Sequence, residues 1–400
     1  MTRLLVAAAL IAACRGDGKP KQMKDDAAPS GAASSVSAPA EVPKLPSSPE
    51  GEAELKAIGQ DIERMRGDKL QRPALVNLLL VRASITGALE DYVEMVAISK
   101  AWIADSPKDA GAWKARVQAL ARVHRFADAR AALEKLKPLV PVSGWNDLAA
   151  TLDEATGSPE KATPVREELA KVLPRPEMIT QLAGNLALRG RIADAIALIP
   201  KAIAGVHDNS PVLFAWLYFQ WGRLYEQKGE LARARDHYAE ARRRLPGHVE
   251  ATAHLAATMT ATGQDPSGIL AEALAENRHP ELLALAGKTE EAKQAWERYV
   301  VALPEAFSDH AARFYLAGGK DPVRALALAQ VNVKNRDTTE ARSLVIEAAL
   351  AANAPAEACS VVDPVIASPQ RAQQFIAWRA LTACGRKADA DKLAATLGIR

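Results

Sequence analysis

The chain has 400 residues, 48% of them hydrophobic and 25% charged, with a formal net charge of +3. A balance of 51 basic against 48 acidic side chains neither demands nor supports a nucleic-acid partner. The apolar share is ample for a core, and alanine, which dominates it, suits closely packed helices. A chain of this length would ordinarily make two or three domains, but the pattern past residue 50 predicts one continuous unit.

Met1-Thr2-Arg3 is a short positive start, and Leu4 to Ala13 is an apolar run. That run is too short to span a bilayer and right for a signal-peptide core. Leu10-Ile11-Ala12-Ala13-Cys14 resembles a bacterial lipobox. The resemblance implies that residues 1–13 are a lipoprotein signal peptide and that Cys14 becomes lipidated and N-terminal. The other reading is a buried N-terminal helix that happens to contain a cysteine. Residues 14–50 are Gly, Pro, Ser, Ala and Lys with almost no large apolar side chains. Such a stretch cannot bury enough surface to offset its ordering entropy and reads as a disordered linker. As a coil it would span about 35 Å. Arg15 stands where an aspartate would favour inner-membrane retention in similar lipoproteins. The expectation is an outer-membrane anchor facing the periplasm, with surface exposure left open. The longest later apolar run, Ala74 to Leu89, is broken by Arg82.

From residue 51 onward small residues recur on a clock. Gly157/Ala162, Gly190/Ala195, Gly229/Ala234 and Gly287/Ala292 repeat one step, and Pro107, Pro141 and Pro174, then Pro246 and Pro280, keep the same spacing. A weak first unit ends at Pro107. Ala110 to Pro141 carries Trp113, Leu120, Ala129 and Leu133, with His124 where glycine is expected. Units at 143–174 and 176–207 follow. The cleanest runs from Ala215 to Pro246, with Trp221, Gly222, Tyr225, Gly229, Ala234, Tyr238 and Ala241. Gly222 and Ala234 are small where two helices would cross, and Gly229 sits where a turn needs positive φ. Later units keep Gly263, Gly287, Asn353 and Gly385 at the turn. This pattern resembles the tetratricopeptide repeat. The resemblance implies an all-α, right-handed superhelical solenoid of nine to ten stacked hairpins over 51–400, most regular at 110–280. In that register Cys359 and Cys384 lie at one level of adjacent antiparallel helices, which predicts a disulfide, with two buried free thiols as the alternative.

Chemistry is sparse. No nucleophile motif, phosphate loop or metal-spaced cluster stands out. His248 and His254 read as solvated histidines near a helix start, and Arg242-Arg243-Arg244 as a solvated second-helix face. The resemblance implies concave binding positions at Trp216, Phe219, Arg223, Glu226 and Gln227, with Lys114, Gln118, Gln181 and His254 in neighbouring units. Packing of Trp216 and Phe219 against the insert around Gly205 to Val212 is the alternative. The function implied is a non-enzymatic, lipid-anchored scaffold for protein–protein interactions in assembly or maintenance of a cell-envelope complex. It would need no cofactor, metal, nucleic acid or small-molecule substrate. A regulator or enzyme of cell-wall turnover, and a purely structural spacer, are the alternatives.

Overall fold

The computed structural model describes residues 51–207 and 210–399. The expected signal peptide, Cys14 and the linker to residue 50 lie outside the described residues. Among the described residues, a single helix, α1 (Gly51–Met65), precedes ten antiparallel hairpins. The first five are α2–α3 (Arg72–Thr86, Leu89–Asp105), α4–α5 (Ala110–Arg122, Phe126–Leu136), α6–α7 (Asn146–Ala155, Pro159–Val172), α8–α9 (Pro176–Leu188, Ile192–Ala204) and α10–α11 (Pro211–Lys228, Leu231–Arg244). Then come α12–α13 (Val249–Ala261, Ser267–Glu276), α14–α15 (Pro280–Leu285, Thr289–Ala302) and α16–α17 (Pro304–Leu316, Pro322–Asn335). The ninth pairs α18 (Thr339–Ala351) with a broken second half, α19 (Pro355–Ser360) and α20 (Asp363–Ile366). The tenth is α21–α22 (Arg371–Ala383, Lys387–Leu397). No strand occurs among the described residues.

Local chemistry explains the hairpins. Gly229 caps α10 at φ 84°, a conformation closed to most side chains. His124 and Asn353 occupy the same left-handed position at φ 57° and 56°, where the sequence offers no glycine. Gly222 lets α10 approach α11 so closely that a Cβ there would lie 2.6 Å from the Tyr238 ring. Ala234, Tyr238 and Ala241 complete that contact and are fully buried. Half of the first helices begin at side-chain caps: Asp109 accepts from Gly111 N at 2.7 Å and Thr338 from Ala341 N at 3.1 Å.

The winding is tight. Call the turn within a hairpin its tip, and the connection leading into its first helix its base. Each tip of the first four hairpins touches the base of the hairpin six places later. The start of α1, which stands at a tip, is so close that a Cβ at Gly51 would overlap the Arg244 carbonyl. A Cβ at Gly87 would lie 2.6 Å from the His279 ring, and Asn277 Nδ2 donates to Thr86 O at 2.7 Å, 191 residues away. His124 Nδ1 lies 3.2 Å from Glu305 O, 181 residues on. A Cβ at Gly157 would meet Asp337 O at 2.8 Å, and one at Gly190 would meet Pro369 at 2.8 Å. The series stops at the fifth hairpin, whose Gly229 meets nothing within 4 Å. The superhelix therefore makes one turn in six hairpins, and the second turn sits on the first along a continuous seam.

Candidate functional site

This architecture encloses most of the expected groove residues. Two remain accessible: Lys114 on α4 and Gln227 near the end of α10 are exposed. The others do not face an open groove. Trp216 and Phe219 are 5% and 1% exposed, which corrects their reading as a binding surface. Their helix is apolar nearly all round, as befits a helix buried on every side. Phe219 packs on the rings of Tyr238, His248 and His254 at 5.7, 5.1 and 5.5 Å. The amino-terminal helix crosses the other flank, where Ser210 Oγ donates to Glu54 at 3.0 Å. Arg223, Gln118 and Gln181 are buried too. With six hairpins per turn, the concave side is the molecule's interior.

Two other surface readings are also corrected. His248 is buried, and His254 is half-buried against Glu226, with Nδ1 2.8 Å from the carboxylate. Arg244 is 3% exposed and stacks over Phe214 and Tyr218 at 4.9 and 5.3 Å. Arg243 pairs with Glu240 at 2.7 Å and Arg242 with Glu272 at 2.6 Å. The arginine run is knitted into the fold rather than left as a free basic face.

The interior holds polar clusters that the sequence reading missed. Arg166, on α7, is fully buried and donates to Glu154 at 2.8 Å, Thr151 at 2.9 Å, Gln181 at 2.8 Å and the Asp147 carboxylate. Burial alone would lower its pKa, but the carboxylates of Glu154 and Asp147 outweigh that and raise it. Asn185 Nδ2 donates to Glu154 at 2.9 Å and completes the set. Glu226 accepts from Tyr238 at 2.5 Å, and although burial works against its charge, His254 and Tyr238 hold its pKa below the usual range.

The second cluster lies on the seam. A cavity of about 30 Å³ is lined from both turns by Tyr92, Arg122, His124, His279, Phe307 and His310, among others. That is room for about one water, far below the few hundred Å³ of a ligand pocket. Tyr92 donates to Ala83 O at 2.9 Å and accepts from Arg122 at 3.1 Å. Its ring meets Phe307 edge-on at 5.6 Å. Asp309 is 1% exposed and accepts from Arg336. Burial would raise its pKa, but His310 and Arg336 dominate and hold the carboxyl well below its ordinary range. Two buried histidines serve as helix caps. His248 Nδ1 accepts from Ala251 N and His279 Nδ1 from Glu281 N, each at 3.3 Å. Burial pushes their pKa values down to about 4 and about 3. Neutral imidazole is the form that can accept, so burial and capping agree.

These clusters are matched donors and acceptors facing one another. They tie neighbouring helices together. No group of three or more potential metal-ligating side chains occurs among the described residues. Cys359, near the end of α19, and Cys384, capping α21, face each other with Cα atoms 6.1 Å apart. That separation lies within the span of a disulfide.

Small residues at the helix crossings, left-handed tips and stacked antiparallel pairs settle the architecture. It is a tetratricopeptide-type solenoid. No family model matches the chain, and no curated protein matches it. Among solved structures, this solenoid aligns with the APC/C hetero-tetramer Cut9–Hcn1 at 13% identity over 86% of this chain and 74% of that one, TM-score 0.41. It aligns with a tetratricopeptide repeat protein from Parabacteroides merdae ATCC 43184 at 14% identity over 72% and 98%, TM-score 0.36. Yeast Tom70 gives 13% identity over 85% and 97%, TM-score 0.34. The assignment of the fold rests on the solenoid's own hairpins, not on these alignments.

Proposed function

We propose that the protein is a non-enzymatic scaffold, anchored through a lipid on Cys14 to the outer membrane and facing the periplasm. There it would hold protein partners during assembly or maintenance of a cell-envelope complex. The supporting observation is the hairpin stack. Solenoids of this kind present one extended surface on which a partner can lie, and here the buried charged clusters bond to one another. A partner meets the outer helices, the tips and the bases, because the concave side is filled by Trp216, Phe219 and Arg223. Lys114 and Gln227 remain the accessible members of the expected set. In this reading Cys359 and Cys384 form a disulfide, as an oxidising compartment allows.

The test is site-specific photo-crosslinking in cells, with the reactive group at Lys114 and Gln227 and on the outer face of α11, combined with fractionation. The expected result is a discrete adduct with an envelope protein and membrane association lost in Cys14→Ser. Absence of any adduct from a folded, correctly sorted protein would sink the scaffold. An unaltered distribution of Cys14→Ser would remove the lipid anchor.

A further inference from the structure

The seam covers the tips of the first four hairpins and the bases of the seventh to tenth. Two edges stay open, and they differ in chemistry. On the tip edge from the fifth hairpin onward, Gly229, Gly263, Gly287 and Gly385 meet nothing within 4 Å. Their exposed neighbours Lys228, Gln264 and Lys288 are polar, and Val323, 69% exposed beside the eighth tip, stands alone there as a large exposed aliphatic side chain. The base edge of the first half is apolar. Leu70 is 88% exposed, Val142 60% and Val172 59%, and Leu139 and Leu173 are exposed on the same edge. These five are half of the ten large apolar side chains exposed among the described residues. Monomeric proteins scatter such residues singly, so a shared edge asks for an explanation.

Each of three loops on this edge also repeats one juxtaposition. Lys69 precedes Leu70, Lys137-Pro138 precedes Leu139, and Lys171 precedes Val172 and Leu173, with Arg175 just beyond. Lys69 and Lys137 pair with Asp105 and Glu134, which stand back on the second helices, at 2.9 and 2.6 Å. Lys171 and Arg175 form no ion pair among the described residues.

We propose that this edge rests on an anionic bilayer surface. The aliphatic side chains would enter the boundary between headgroups and acyl chains, and the adjacent amines would reach lipid phosphates. That division of labour is what a long basic side chain beside an aliphatic one permits. No single loop would hold, but three on one edge act together, reversibly and with salt sensitivity. A second copy fits the edge less well. Its open tip edge is polar apart from Val323, and a like-to-like contact would set Lys171 and Arg175 against themselves. The inference does not depend on acylation of Cys14.

The test uses the full chain carrying Cys14→Ser, mixed with vesicles of phosphatidylethanolamine and phosphatidylglycerol, or of phosphatidylcholine alone. Hydrogen exchange is read by peptide. Exchange at 66–75, 137–145 and 171–176 is expected to slow several-fold with anionic vesicles, while the tips around 229, 263 and 287 stay unchanged. Leu70→Ser/Leu139→Ser/Leu173→Ser should abolish that protection while keeping the circular dichroism of the parent. Lys171→Glu/Arg175→Glu should weaken it without touching an apolar residue. Three outcomes overturn the proposal. One is vesicle-bound protein whose base loops exchange freely, which would assign the binding to residues 1–50. Another is protection indifferent to both variants. The last is protection without vesicles that grows with protein concentration, which would assign the edge to a second copy. All three leave the scaffold reading standing, because none concerns the photo-crosslinked positions.

Discussion

Gly157 and Gly263 share a left-handed backbone, at φ 88° and 78°, but only Gly157 lies on the seam. Alanine in that conformation costs roughly 1–2 kcal/mol at either place. At Gly157 the new methyl also meets Asp337 O, and overpacking of this kind adds about 1–3 kcal/mol. Urea unfolding of Gly157→Ala and Gly263→Ala should therefore separate them, with Gly157→Ala the less stable; equal losses would argue against the seam. The histidine caps make a second residue-scale prediction. His248 and His279 have pKa values near 4 and 3 when folded, against an ordinary 6.5. The unfolded chain thus binds protons that the folded chain refuses. Their contribution to stability is whole above about pH 6.5 and drains away as pH falls toward 4, at about 1.4 kcal/mol per pH unit for each histidine. His248→Asn keeps an acceptor at the cap and should flatten the fall in melting temperature between pH 6.5 and 4.5. An unchanged slope would mean that His248 titrates normally. Tip residues such as Gly229 and the crossing residues Gly222 and Ala234 were readable from sequence, because they act within one hairpin and recur with its period.

At the scale of the helix, α10 shows where that legibility ended. The repeat register separates a core stripe from a concave face, and it put Trp216 and Phe219 on the second. In an open solenoid that face meets water. Here the winding turns it inward, and no periodicity within a hairpin reports how many hairpins complete a turn. Asp309 and His279 escaped notice for the same reason, since they pack against helices far away in sequence; Arg166 is enclosed by its own neighbours α6 and α8, whose inward-facing polar residues the repeat register does not mark. The hairpin at the carboxyl end is different. Its cysteine pair follows from local register, and the second half of the ninth hairpin is broken into α19 and α20. A bond between Cys359 and Cys384 would close a loop of 25 residues, worth on the order of 3 kcal/mol. Mass spectrometry of the unreduced protein should find the linked peptide. Reduction should speed amide exchange in α19 to α22 first; indifference there would make the pair two thiols.

For the whole molecule, the seam changes what unfolding looks like. An open repeat array loosens from its ends, each unit leaning only on its neighbours. This one ties each of the first four hairpins to one of the last four. Native-state hydrogen exchange should give α4–α5 and α16–α17 the same opening free energy, because His124 and Glu305 join them. A large, reproducible difference between the two would show the halves to be independent. The same tie sets an order of events for a chain delivered amino-terminus first. When the first four hairpins have emerged, Gly87, His124, Gly157 and Gly190 still await partners that end with Pro369. Contacts this distant in sequence form late, and until they form the early half is a stack with one raw edge. The nascent protein is therefore most vulnerable to proteases and to wrong neighbours while it is more than half made, and safe only when its last hairpin arrives.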